Sequence, residues 1–144
     1  MARMKIDLPQ EWKFTFEISV RVNDLNYGNH LANQNFLAFA QEARMAYYAK
    51  YELSELDFGG VSLIQADAAI VFKGEGFYND RIQIELSAVQ NGNSSFNIFY
   101  RFSNLDSKKE LAHVRTAMVC YDYKLKKPVG IPQSVINSGL FVKT

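Results

Sequence analysis

The stretch that decides the fold is DLNYGNHLANQNFLAFAQEARMAYYAKY, residues 24–51. Its first third is polar and turn-forming, and apolar residues then recur at helical spacing without an interrupting proline. The apolar side chains that share a face are Phe36, Ala40, Ala43, Tyr47 and Tyr51, widened by Leu37, Phe39 and Ala46. This pattern predicts a long helix over 33–51, capped by Asn33 or Asn35, that must be covered on most sides.

Outward from this helix, apolar and polar residues alternate with a period of two, which predicts five strands. Their approximate ranges are 14–22, 63–73, 81–88, 96–102 and 111–123. The turn Asn91-Gly92-Asn93 joins the third and fourth strands into a hairpin. Because hairpin-length connections imply antiparallel neighbours, we expect an α+β fold, a curved five-stranded antiparallel sheet wrapped around one long central helix. One helix cannot cover such a sheet completely, so we expect at least a homodimer joined edge to edge.

The chain as a whole has the size and composition of one domain, residues 1–144. It is 48% apolar and 22% charged with a formal net charge of +1, which argues against a nucleic-acid partner. No apolar run is long enough to span a membrane, and the first residues lack the apolar core of a signal peptide. With a single cysteine, these features predict a cytoplasmic protein.

The residues that most often bind metals or phosphates are sparse. Two histidines and one cysteine match no metal-ligand spacing, so we expect no metal. The tripeptide Gly74-Glu75-Gly76 lacks the length and the lysine of a phosphate-binding loop. No cofactor is expected beyond a substrate that carries its own.

Three segments carry a family likeness: the junction VNDLNYGNHLAN at 22–33, the tripeptide Glu42-Ala43-Arg44, and Phe77-Tyr78-Asn79-Asp80. Together they resemble the hotdog-fold acyl-CoA thioesterases of the 4-hydroxybenzoyl-CoA thioesterase type. The resemblance implies a helix cradled by a five-stranded sheet in homodimers or homotetramers. It also implies active sites at the dimer interface, where the helix N-terminus of one subunit meets strands of the other.

This chain departs from the family's motif at the residue that acts on the thioester. In members with the motif Asp-x-Asp-x-x-Gly-His, the second carboxylate acts as base or nucleophile on the thioester. Placing His30 on the motif's histidine puts Asp24 on the first aspartate and Asn26 on the second. An amide cannot accept a proton as a general base, so Asn26 can only orient water or bind substrate. Asp24 is then the nearest carboxylate, unless it only braces the loop.

Thioester hydrolysis also needs a site for the developing oxyanion, and a helix N-terminus provides unpaired N–H groups and a positive dipole end. The candidate catalytic residues are therefore Asp24, Asn26 and His30. The imidazole of His30 either modulates the pKa of a carboxylate, donates a proton to the thioester sulfur, or only anchors the loop. The candidate substrate-binding residues are Tyr27, Gly28, Ala32, Asn33 and Gln34.

Other polar residues are weaker candidates for the active site. Glu42 lies about 13 Å along the helix from Asn33 and is expected to be solvated or paired, and Arg44 is expected to be structural. Asp67 either lines a facing wall or lies on an exposed sheet face. His113 is expected at the surface and Cys120 in the core. A basic turn contains Lys124, Lys126 and Lys127. These lysines either meet the phosphates of coenzyme A or are simply solvated.

These observations predict a thioester hydrolase that acts on a small-molecule acyl-CoA. The same fold also occurs in hydro-lyases that act on acyl thioesters. Their mark would be a clearly placed catalytic histidine together with a carboxylate on the helix, and this sequence does not show that pair distinctly. The alternative is a non-catalytic module that binds an acyl-CoA or a related apolar ligand, which the amide at Asn26 keeps open.

Overall fold

The computed structural model describes residues 3–143 and contains one long helix and one principal sheet. Strand β1 (Phe14–Ser19) leads through a 3₁₀ turn (Val22–Asp24) to helix α1 (Asn33–Lys50). The remaining strands are β2 (Ser62–Phe72), β3 (Arg81–Gln90), β4 (Ser95–Asn104), β5 (Glu110–Asp122) and the short β6 (Lys127–Pro128). A one-turn helix, α2 (Gln133–Ile136), follows. The predicted α+β hotdog architecture is confirmed.

The order of the strands across the sheet is β1-β3-β4-β5-β2, with every pairing antiparallel and β6 added to β5. The predicted hairpin between β3 and β4 is confirmed by the pairing of Gln90 with Phe96 across the turn. The expectation that short connections make every successive pair neighbours is wrong for β2 and β3. These two strands lie on opposite sides of β4 and β5, so β2 forms one edge of the sheet and β1 the other.

The connection from β2 to β3, residues 73–80, is a crossing segment that runs over one end of the sheet. Its first amides, from Lys73 and Gly74, donate to the Leu111 carbonyl at 2.8 and 3.1 Å. Further along, the Gly76 carbonyl accepts the Leu31 amide at 2.7 Å. A Cβ on Gly76 would lie 3.2 Å from the Leu31 Cβ, so glycine permits this close contact. Backbone hydrogen bonds to β5 and to the helix start therefore replace the hairpin expected here.

Helix α1 packs its apolar stripe against one face of the sheet, as its spacing predicts. Ala40, Ala43 and Tyr47 are completely buried. Tyr47 is also tied at its hydroxyl, which donates to the Leu140 carbonyl and accepts the Ala88 amide at 3.2 Å. Within the described chain one side of the helix stays open, and the exposed side chains on it include Leu37 (36% exposed), Gln41, Glu42 and Met45.

The start of α1 differs from the predicted capping. Ala32 occupies the N-cap position and supplies no side-chain cap. Asn35 instead donates its side-chain amide to the Asp24 carbonyl at 2.8 Å, which anchors the preceding loop rather than the helix. Among the described residues, no helix is long and apolar enough to cross a membrane.

Candidate active site

The loop that leads into α1, residues 24–32, is called here the junction loop, and it is closed around Asn26. The Asn26 Oδ1 accepts the amides of Gly28 at 2.9 Å and of His30 at 3.4 Å. The Asn26 amide donates to the His30 carbonyl at 2.9 Å. Asn29 takes the left-handed conformation with φ 65°, which asparagine tolerates better than most residues. The side-chain oxygen of Asn26 is thus occupied by its own loop, and its Nδ2 lies 3.4 Å from the Nδ1 of His30.

Gly28 has a steric role between two candidate catalytic side chains. Its φ is not positive. A Cβ at this position would lie 3.2 Å from Asn26 Oδ1 and 3.5 Å from His30 Nε2. The missing side chain therefore lets Asn26 and His30 approach one another across the loop.

His30 lies between an amide and a carboxylate. Its Nδ1 is 3.4 Å from the Nδ2 of Asn26, and its Nε2 is 3.9 Å from the Oε1 of Glu75 in the crossing segment. About a third of the His30 side chain remains exposed (32%). The imidazole is thus oriented from both sides by loose contacts while it stays accessible to a ligand.

Asp24 is engaged by its neighbour on both carboxylate oxygens. Oδ2 accepts the Arg21 backbone amide at 2.8 Å and the Arg21 Nε at 3.2 Å, and Oδ1 accepts the Arg21 Nη2 at 3.2 Å. Burial acts to raise the pKa of this carboxyl, but the hydrogen bonds and charge of Arg21 outweigh it and hold the pKa below its ordinary value. The Asp24 carbonyl also accepts the Ala32 amide at 3.0 Å. The predicted catalytic role of Asp24 stays a prediction, and its contacts are those of a loop brace.

The N-terminus of α1 opens beside this loop. Asn33 and Gln34 are exposed, and their backbone amides have no hydrogen-bond partner within residues 3–143. Leu31 and Ala32 are buried and fix the position of the helix start. Two oriented N–H groups at a positive dipole end are therefore available to a carbonyl oxygen.

Exposed aromatic rings surround the same region. Tyr27 projects fully into solvent, and Phe77 and Tyr78 in the crossing segment are 50% and 60% exposed. His30 and Phe77 form a backbone bridge, so the ring of Phe77 belongs to the same surface as the junction loop. Such a concentration of exposed rings is typical of a surface that binds a ligand or another subunit.

The other candidates lie elsewhere or have other partners. Asp67 is on the exposed part of β2 and pairs with Arg115 at 2.9 Å. His113 is largely buried rather than at the surface, with Nε2 3.2 Å from a Glu110 carboxylate oxygen. Cys120 is in the core as predicted, and burial raises the pKa of its thiol to about 11. No group of three or more metal-ligating side chains occurs among the residues described.

Two helix residues named by the resemblance have different surroundings. Glu42 lines a hollow of about 500 Å³ whose wall also includes Arg21 and Asp24. Arg44 is buried, and its Nε contacts the Glu55 Oε2 at 2.9 Å, so its expected structural role agrees with its position.

Glu75 was missed as a site residue by the sequence reasoning. It occurs in Gly74-Glu75-Gly76, a tripeptide that carries no recognisable motif, and it lies 45 positions after His30. Only the crossing segment brings its carboxylate to the junction loop, because the Leu31 amide bonds the neighbouring Gly76 carbonyl.

The fold, with an open helix N-terminus beside a polar junction loop, matches a known class of protein. Residues 20–138 match the family described as the thioesterase-like superfamily, and the chain belongs to it. No curated protein matches the chain significantly.

Solved structures resemble the whole fold. A 1,4-dihydroxy-2-naphthoyl-CoA thioesterase from Synechocystis, Slr0204, is 25% identical with a TM-score of 0.81, over 87% of this chain and 93% of that one. The PA5185 protein from Pseudomonas aeruginosa is 23% identical with a TM-score of 0.78, over 90% and 92%. A DHNA-CoA thioesterase from Staphylococcus aureus is 17% identical with a TM-score of 0.75, over 85% and 83%. The last two likenesses concern the fold alone.

Proposed function

We propose that this protein is an acyl-CoA thioesterase that hydrolyses the thioester at the N-terminus of α1. Family membership and the likeness to a naphthoyl-CoA thioesterase support thioester chemistry in general. The single observation that supports this location is the pair of open amides at Asn33 and Gln34, which follow His30 by three and four residues along the chain. These amides bind the carbonyl oxygen of the thioester and stabilise the oxyanion that forms on it.

The hydrolytic step uses His30 as the proton-transfer group. Its imidazole takes a proton from water, and the resulting hydroxide forms a bond to the carbonyl carbon. The tetrahedral intermediate then collapses, the carbon–sulfur bond breaks, and His30 returns the proton to the departing thiolate. The Nδ2 of Asn26, which lies 3.4 Å from His30 Nδ1, orients the water beside that nitrogen. The Oδ1 of Asn26 holds the loop, and Asp24 keeps the loop closed. Tyr27 and Gly28 line the approach of the substrate, and the buried Ala32 fixes the helix start beneath it.

The active unit in this proposal is a homodimer or homotetramer. Strand β2 is an edge of the sheet, and its centre, from Gln65 to Ala68, is exposed. An unpaired, exposed strand edge favours antiparallel pairing with a second copy of itself. The exposed Leu37 and the fully exposed Tyr27 also suit coverage by a partner, which places the site near the subunit interface.

A second candidate function is a non-catalytic module that binds an acyl-CoA. The observation that favours it is the state of Asn26, whose oxygen is occupied by the amides of its own loop and which cannot serve as a base. In this reading the helix N-terminus still binds the thioester carbonyl, but water is not activated.

The test is thiol release from a panel of short, long and aromatic acyl-CoAs, with the wild type compared with His30→Ala and Asn26→Asp. The thiol of Cys120 does not add to the signal, because it is completely buried in the folded protein. We expect turnover in the wild type that His30→Ala removes.

The control separates an enzyme from a binder. A wild type that binds acyl-CoA saturably without turnover, together with turnover gained in Asn26→Asp, would support the binding module. Turnover unaffected by His30→Ala would contradict the assigned proton transfer but not the thioesterase activity.

A further inference from the structure

Glu75 faces His30 across the gap between the crossing segment and the junction loop, and the hydrolytic step above gives this carboxylate no role. Its Oε1 lies 3.9 Å from the Nε2 of His30. No lysine or arginine among residues 3–143 forms an ion pair with Glu75. The imidazole of His30 is therefore the group on which this carboxylate is placed to act.

Two glycines hold Glu75 in this position. The Gly74 amide donates to β5 at 3.1 Å, and the Gly76 carbonyl accepts the Leu31 amide at 2.7 Å. A Cβ on Gly74 would lie 2.9 Å from a carbonyl oxygen of β5, and a Cβ on Gly76 would lie 3.2 Å from the Leu31 Cβ. The tripeptide Gly74-Glu75-Gly76, which matches no phosphate-binding loop, thus places one carboxylate close to the start of α1.

The orientation of the Asn26 side chain is set by its own loop. Its Oδ1 accepts the backbone amides of Gly28 at 2.9 Å and of His30 at 3.4 Å, which only an oxygen can do. The Nδ2 must therefore be the atom that faces the Nδ1 of His30, at 3.4 Å. Because Nδ2 can only donate, Nδ1 presents its lone pair to it and carries no proton.

The proton of the neutral imidazole then lies on Nε2, on the side of Glu75. Which ring nitrogen of a histidine carries the proton is set by the groups that face the two nitrogens. We propose that Asn26 and Glu75 together hold His30 in this tautomer, so that Nδ1 is the nitrogen that takes the proton from water. The tautomer follows from the resting structure alone, whereas the proton transfer rests on the proposed function.

Glu75 acts in the reaction through His30 and is a positioning residue. When Nδ1 accepts the proton of water, the imidazole keeps its Nε2 proton and becomes a cation that faces the carboxylate. The opposite charge stabilises this cation until Nδ1 returns its proton to the departing thiolate. A carboxylate from a distant segment thus supports the base in a chain whose junction loop has an amide at Asn26.

The first test determines the tautomer in the resting protein from long-range ¹H–¹⁵N correlation spectra of its imidazoles. The chain has two histidines, so the spectrum of His30→Ala assigns both sets of signals. At alkaline pH, where imidazole is neutral, we expect the proton of His30 on Nε2 in the wild type. Asn26→Asp places a carboxylate oxygen opposite Nδ1, and we expect this variant to move the proton to Nδ1. The signals of His113 should be the same in both proteins.

The second test is the steady-state kinetics of Glu75→Gln, which keeps the size of the side chain and removes its charge. We expect kcat to fall about two- to fivefold with KM unchanged, which is the size of effect that a partly exposed ion pair supports. Glu75→Asp keeps the charge and should recover part of the loss. The control Glu17→Gln removes an exposed carboxylate of β1 and should leave both constants unchanged.

A double-mutant cycle separates action through His30 from a structural role of Glu75. In the His30→Ala background, Glu75→Gln should leave the residual kcat unchanged, because the cation that the carboxylate stabilises no longer forms. A structural role would instead lower kcat by the same factor in both backgrounds.

Three results would overturn the proposal. The first is a wild-type spectrum with the proton of His30 on Nδ1. The second is an unchanged kcat for Glu75→Gln in an enzyme that turns over. The third is an equal loss of kcat from Glu75→Gln with and without His30. A wild type without turnover would reject the proposed function, and the nitrogen spectra would then confirm or overturn the tautomer by themselves.

Discussion

The junction loop and a buried cluster of Arg44, Glu55, Tyr100 and Thr116 are both polar, but they are held in opposite ways. In the buried cluster, Arg44 Nε contacts Glu55 Oε2 at 2.9 Å, and the hydroxyls of Tyr100 and Thr116 are 2.7 Å apart. At the junction loop, His30 has contacts of 3.4 and 3.9 Å and remains a third exposed. Short, desolvated polar contacts stabilise the fold. Loose, accessible groups beside open amides are those that a substrate can engage.

The largest expected effect is on turnover. His30→Ala removes the proton-transfer group, and we expect kcat to fall about 10² to 10⁴-fold. The unfolding free energy is expected to change by less than about 0.5 kcal/mol, because the side chain has only loose contacts. Steady-state kinetics and urea denaturation measure the two quantities. If His30→Ala instead lowered stability strongly and kcat only slightly, His30 would be a stabilising residue like those of the buried cluster.

The next effect belongs to the buried cluster. Arg44→Ala leaves the carboxylate of Glu55 without its cation in a largely buried position, and we expect a loss of about 3–5 kcal/mol in unfolding free energy. Activity per folded molecule should be retained, because Arg44 does not contact the junction loop in the hydrogen bonds of the structure. Denaturant titration with an activity assay on the folded fraction checks both statements. The double variant Arg44→Met/Glu55→Leu, which removes both charges, should recover much of the loss.

A smaller effect with a defined pH dependence is expected at Asp24. Its carboxyl has a pKa below the ordinary 3.8, so its contribution to stability is complete above that pH and is lost as the pH falls through the lowered value. Asp24→Asn should cost about 1–2 kcal/mol near neutral pH, and the stability curves of wild type and variant should converge below pH 3.8. Thermal unfolding across pH 2–7 tests this. Curves that stay parallel would show that the Arg21 contact does not act through charge.

The smallest effect distinguishes two buried tyrosines. The hydroxyl of Tyr48 is buried without a hydrogen-bond partner among the described residues, so Tyr48→Phe should be neutral or stabilise by up to about 1 kcal/mol. Tyr100→Phe breaks the bond to Thr116 and should destabilise by about 1 kcal/mol. Denaturation midpoints of the two variants give the comparison. Equal losses in both would mean that Tyr48 has a partner, such as a bound water.

The helix and most of the sheet could be predicted because their signals are local. The apolar spacing from Phe36 to Tyr47 and the alternation in β3, β4 and β5 follow directly from the geometry of the elements. The position of β2 could not be predicted, because loop length alone does not distinguish a hairpin from a segment that crosses the sheet end. The burial of His113 was missed because it depends on what covers that face of the sheet.

The candidate site was predictable in part. His30, Asn26 and the amides of Asn33 and Gln34 are close in sequence, and a helix start brings such residues together whatever the rest of the fold does. Glu75 could not be found this way. Its position depends on long-range hydrogen bonds of the crossing segment with Leu31 and Leu111.

The sequence by itself determined the one long amphipathic helix, the alternating strands, the polar junction before the helix and the amide at Asn26. The tertiary structure alone decided which strand forms the sheet edge, that Asp24 is paired with Arg21, and that the carboxylate of Glu75 faces His30 from a distant segment. The physical reason is that periodicity and turn chemistry act over a few residues, whereas the pairing of strands and the closure of cavities depend on contacts between residues far apart in the chain.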